Sequence, residues 1–146
     1  MAEPFRTTRR VEFCDTDMAG IVHFSNYFRY MESAEVDFLR SLDLSVTMLG
    51  DHGEKLGLPR VSATCDYLKP ALFGDLLDVT VAVEQIGRKS VSYRFEFSKA
   101  GQTVARGRIS AVCCRWTADG KLESVEVPSV VRVKLEPFII PGERGA

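Results

Sequence analysis

The chain has 146 residues, 45% hydrophobic and 27% charged, with 19 Lys plus Arg against 20 Asp plus Glu. That composition excludes disorder, and its near-even charge balance supplies no global positive field to gather nucleic acid. The length suits a single domain, residues 1–146, that buries roughly two-thirds of its unfolded surface.

No stretch approaches the roughly 18 apolar residues that span a bilayer, and Met1 to Arg6 lacks an apolar signal core. A cytoplasmic protein without membrane contact is expected. Cysteines at 14, 65, 113 and 114 show no C-x-x-C spacing, so buried small hydrophobes are expected rather than a metal site or a redox motif.

Residues 5–13 are β-branched and aromatic with partial alternation, which predicts a first strand. A polar loop follows. From Asn26, apolar Tyr27, Tyr30, Met31, Ala34, Phe38 and Leu42 recur at three- and four-residue spacing, while Arg29, Glu32, Glu35 and Arg40 fall elsewhere. The spacing predicts a helix of about four turns, with Ser25 or Asn26 as its N-cap.

Residues 43–57, with Gly50, Gly53 and Gly57, read as a short helical turn and loop. Residues 58–69, 78–87, 90–99 and 103–117 read as four strands joined by short connectors, hence antiparallel neighbours. Strict alternation from Val91 to Phe97 predicts one buried face. Pro128 to Arg132 could form a final helical turn, and the Pro-Gly-Glu-Arg-Gly-Ala end a frayed tail. The class is therefore α+β, with one curved antiparallel sheet wrapped around one long central helix.

The segment from Asp15 to Asn26 places two acids, a glycine and a histidine between a strand and the start of that helix. Backbone N–H groups at a helix start are unpaired and favour an oxyanion, so Asp17 and an N–H near Phe24 are suited to flank one carbonyl.

The run Glu12-Phe13-Cys14-Asp15-Thr16-Asp17-Met18-Ala19-Gly20-Ile21-Val22-His23-Phe24-Ser25-Asn26-Tyr27 resembles the signature of the 4-hydroxybenzoyl-CoA thioesterase family of hotdog-fold acyl-CoA thioesterases. The expected element order agrees with that family over almost the whole chain. The resemblance implies hydrolysis of an acyl-CoA thioester without metal or organic cofactor. It also implies a homodimer joined sheet edge to sheet edge, assembling into a homotetramer, with active sites at the dimer interface.

The same resemblance assigns the catalytic carboxylate to Asp17, the carbonyl-polarising N–H to Phe24 and the tight loop turn to Gly20. The carboxylate acts either as nucleophile or as general base toward water. Arg88 and Lys89, in the turn Gly87-Arg88-Lys89-Ser90, fall where the family contacts the phosphates of coenzyme A. By default such a turn is merely solvated.

Asp15 reads as a loop-shaping acid, because Met18-Ala19 does not continue an aspartyl-phosphate motif. His23 is a candidate for bonding the carboxylate or the thioester, against a packing role. Cys14 is a poor nucleophile beside acids, Glu32 is an exposed helix acid or an acyl-group sensor, and Trp116 is core or interface. The competing functional readings are a noncatalytic acyl-CoA-binding hotdog protein and a hydratase of the same fold.

Overall fold

A computed structural model describes residues 3–141. Strand β1 (Phe5–Arg10) leads through a single-turn 3-10 helix (Phe13–Asp15) to helix α1 (Asn26–Ser41). Then come β2 (Met48–Leu49), β3 (Lys55–Gly57), β4 (Arg60–Tyr67), β5 (Leu76–Ile86), β6 (Ser90–Lys99), β7 (Gln102–Val112), β8 (Cys114–Trp116), β9 (Leu122–Ser124) and α2 (Ser129–Leu135). All strand pairs are antiparallel, in a five-stranded sheet β1-β5-β6-β7-β4 and a four-stranded sheet β2-β3-β8-β9.

The expected single sheet around one long central helix is thus corrected to two sheets and two helices. The segment 43–57 forms a hairpin instead of a helical turn: Gly53, at φ +80, closes Gly50–Glu54 and brings Met48 opposite Leu56. The run 103–117 divides at Cys113, whose N–H donates to the Lys89 carbonyl and whose carbonyl accepts from Val125. The chain beyond therefore enters the second sheet. The first strand stops at Arg10, because Val11 bonds to Gly74 and Asp75 and the next residues turn.

Alternation in β6 puts Val91, Tyr93, Phe95 and Phe97 into the core, where α1 supplies Tyr27, Tyr30, Met31, Ala34, Phe38 and Leu39. The Val, Leu, Phe and Met side chains among them contribute about 1.5–3 kcal/mol each by leaving water. Helix α1 comes close to β7 at Gly107, where a Cβ would collide with Met31 Sδ. Glu35 is an exception to its expected exposure. It is fully buried on the apolar stripe and accepts a hydrogen bond from Arg60 at 2.5 Å.

Cys113 and Cys114 are buried as expected, but Cys14 is exposed and Cys65 half-buried. Trp116 is 68% exposed, so it is not core. Among the described residues no helix is long and apolar enough to cross a membrane. The tail expected beyond Pro141 lies outside the described residues.

Candidate active site

The loop between β1 and α1 is folded around Asp15. Its buried Oδ2 accepts from the Glu12 N–H at 2.9 Å and the Tyr30 hydroxyl at 2.8 Å. Its carbonyl accepts from the His23 N–H at 2.9 Å and from Asn26 Nδ2 at 2.8 Å. Asp15 is therefore the loop's anchor. Asn26 acts as a tie to that anchor, and neither it nor Ser25 supplies a side-chain cap to α1.

Held this way, residues 16–22 make a narrow turn. Thr16 bridges Val22, the Asp17 N–H donates to the Ile21 carbonyl at 2.8 Å, and the Gly20 N–H donates to the Asp17 carbonyl at 3.0 Å. Gly20 sits at φ +82, a backbone region that side chains with a Cβ adopt only under strain. The turn presents Asp17 half-buried. Its Oδ1 accepts from the Ala19 N–H at 2.8 Å, and Oδ2 has no bond within the described residues.

Two clefts share Asp17. One, of about 480 Å³, is floored by Val22, Tyr27 and Ala71 and walled by Phe24, Tyr67 and Lys69. The other, of about 650 Å³, is lined by Phe13, Met18 and Phe73, with Phe13 and Phe73 edge to face at 5.8 Å. The Phe24 N–H donates to no group among the described residues. Asp17 and Phe24, whose N–H is unbonded among the described residues, thus line one apolar cleft, and a carboxylate and a backbone donor are the groups needed to activate a nucleophile and polarise a carbonyl.

The other expected residues do not all converge. The His23 ring stacks on Phe24 at 4.6 Å and its Nδ1 lies 2.8 Å from Ser25 Oγ, and it lines neither cleft. Arg88 and Lys89 follow the end of β5, whereas the Asp17 loop lies beside its approach, where Ile21 bridges Leu72. About 30 Å of extended strand separates them within one chain. There Arg88 pairs with Glu126 at 3.3 Å and Lys89 Nζ meets Ser124 Oγ at 3.4 Å.

Glu32 is exposed on α1. Partial desolvation, then the Asp15 carboxylate, push the Cys14 thiol up, which disfavours the thiolate. Tyr67, Lys69, Phe13, Met18 and Phe73 were not read as site residues from sequence. Lys69 and Phe13 fall at the ends of the expected strands 58–69 and 5–13, where nothing in the spacing marks a site.

A model described as thioesterase-like superfamily matches residues 11–135. A 1,4-dihydroxy-2-naphthoyl-CoA hydrolase of Nostoc punctiforme is 31% identical over 121 residues, 82% of this chain and 80% of that one. A hypothetical protein from Aquifex aeolicus superposes with a TM-score of 0.79 at 34% identity, covering 90% of this chain and 99% of that chain. A gentisyl-coenzyme A thioesterase superposes at 0.75 with 32% identity over the same shares.

Proposed function

The chain belongs to the thioesterase-like superfamily, and from that premise we propose that it is a thioester hydrolase cleaving an acyl-CoA to a carboxylic acid and coenzyme A. The observation that carries this reading is that Asp17 and Phe24, whose N–H is unbonded among the described residues, line the same cleft. The thioester carbonyl oxygen takes the Phe24 N–H, which strengthens its hold as negative charge develops there.

Asp17 then attacks the carbonyl carbon, the C–S bond breaks to release coenzyme A thiolate, and water opens the resulting mixed anhydride to the acid and the free Asp17 carboxylate; or Asp17 takes a proton from the attacking water. In the water route, a C–O bond forms, the C–S bond breaks, and the proton held by Asp17 passes to the departing sulfur. Gly20 keeps the turn tight, and His23 acts by bracing Ser25 and Phe24 rather than on the substrate. Neither a metal nor an organic cofactor enters these steps. The names of the relatives favour a hydroxylated aromatic acyl group.

This reading takes residues 1–146 as one cytoplasmic domain. It assembles as a homodimer through β4, the sheet edge exposed along almost its whole length, and the dimers pair into a homotetramer. Arg88 and Lys89 then serve the coenzyme A phosphates at another copy's site, consistent with their distance from Asp17 in their own chain.

The test is steady-state release of coenzyme A from 4-hydroxybenzoyl-, hexanoyl- and acetyl-CoA. The wild type turns over at least one ester, and Asp17→Asn lowers kcat roughly 100-fold or more with little change in KM. Binding without turnover of any ester would instead support a noncatalytic acyl-CoA carrier.

A further inference from the structure

Tyr67 closes the wall of the smaller Asp17 cleft from the end of β4. Its hydroxyl donates to the Phe24 carbonyl at 3.0 Å, joining residues 43 apart in sequence. Its ring stands edge-on to Tyr27 at 5.4 Å, and Tyr27 packs in turn on Tyr30 at 5.7 Å and Phe97 at 5.2 Å. The phenol is therefore aimed by a row of rings rooted in the core. The Phe24 carbonyl receives no bond from the first turn of α1, because the Phe28 N–H goes to the Ser25 carbonyl.

We propose that Tyr67 is a positioning residue for thioester hydrolysis, its hydroxyl holding the Phe24 backbone so that the free Phe24 N–H keeps its place beside Asp17. The proposal rests on the thioesterase reading above. A donor contributes to a transition state only as far as it is already oriented when charge develops. Phe24 lies in the turn before α1 and is 61% exposed; the His23 ring stacks on its side chain, and the Tyr67 hydroxyl bonds its backbone carbonyl. Burial and the Cys65 thiol push the Tyr67 phenol up, which keeps it a donor across the neutral range.

The experiment uses the full chain with Tyr67→Phe and Tyr67→Leu. Hydrolysis of 4-hydroxybenzoyl-CoA and hexanoyl-CoA is measured alongside amide hydrogen exchange of a peptide spanning residues 20–30. Tyr67→Phe keeps the wall and loses the bond, so kcat falls roughly 3- to 10-fold on both esters with KM nearly constant. Exchange in the 20–30 peptide speeds up. Tyr67→Leu adds a rise in KM because the wall is lost as well.

A Tyr67→Phe variant with wild-type kcat overturns the proposal, including one whose Tm alone falls, since that bond would be only structural. A change confined to KM overturns it too. Absence of turnover by the wild type defeats the thioesterase reading, and the catalytic role of Tyr67 with it. The exchange data then still decide whether Tyr67 restrains Phe24. Full turnover by the wild type with unchanged Tyr67→Phe kinetics removes the Tyr67 role alone.

Discussion

The Tyr30 hydroxyl donates to Asp15 Oδ2 at 2.8 Å, so α1 and the Asp17 loop share one buried hydrogen bond. Tyr30 is 1% exposed and Asp15 8%. Tyr30→Phe leaves Asp15 Oδ2 with the Glu12 N–H and little water to replace the lost phenol. The expected loss is about 1–3 kcal/mol of stability in urea denaturation, accompanied by lower kcat as the loop loosens. A loss under about 0.5 kcal/mol would mean that solvent reaches Asp15 readily and that the bond does not anchor the loop.

All four tyrosines are pushed up from the ordinary phenol value, chiefly by burial, Tyr27 to about 12. The folded state therefore favours the protonated phenols. Their contribution to stability is complete below the unfolded value of about 10 and is lost as pH rises through the folded values. Melting temperature should fall steeply above about pH 10, and phenolate absorbance should appear together with unfolding. Phenolate from more than one tyrosine forming near pH 10 in a chain that stays folded would contradict this burial effect, Tyr67 being 46% exposed.

Glu35 and Arg60 form a pair with the Glu35 side chain fully buried and the Arg60 side chain 29% exposed. Glu35 Oε2 has no hydrogen-bond partner among the described residues. Burial pushes the Glu35 carboxyl up and Arg60 opposes it. Arg60→Met should cost about 3 kcal/mol at pH 7, the low end for breaking a buried pair because Arg60 is partly wet.

Without Arg60 the Glu35 carboxyl rises further, and the folded variant binds a proton that the unfolded chain releases. Its deficit is therefore smallest below about pH 4.3 and grows as pH rises through the folded value. Urea titrations of wild type and variant at pH 4.5 and pH 7 check this. Equal deficits at the two values would show that Glu35 is not the group left unpaired.

The parts of this molecule legible in the sequence are those whose pattern repeats locally. Val91 to Phe97 alternates, α1 repeats its apolar stripe, and Asp15 to Phe24 is contiguous, so strand, helix and loop could each be read from spacing. The second sheet could not, because β2, β3, β8 and β9 are two or three residues long and carry no period. Glu35 was misplaced because charge normally marks the wet face, and its partner Arg60 lies 25 residues away. Tyr67 reaches the Phe24 carbonyl, and Phe73 meets Phe13, only through long-range packing that no local spacing encodes.

Gly20 holds φ +82 with open space where a Cβ would point. Substitution there meets no clash, so its cost is conformational. Gly20→Ala should lose about 1–2 kcal/mol, and Gly20→Asn less, because Asn tolerates the left-handed region better. The Gly20 N–H donates to the Asp17 carbonyl, so a turn that relaxes to negative φ shifts Asp17 within its cleft. Thermal melts and steady-state kinetics of both variants separate the two effects. Ala should lose kcat and stability together, with Asn recovering both in part. If Gly20→Ala loses stability at unchanged kcat, the turn holds its shape against the strain, and Asp17 does not depend on glycine at this position.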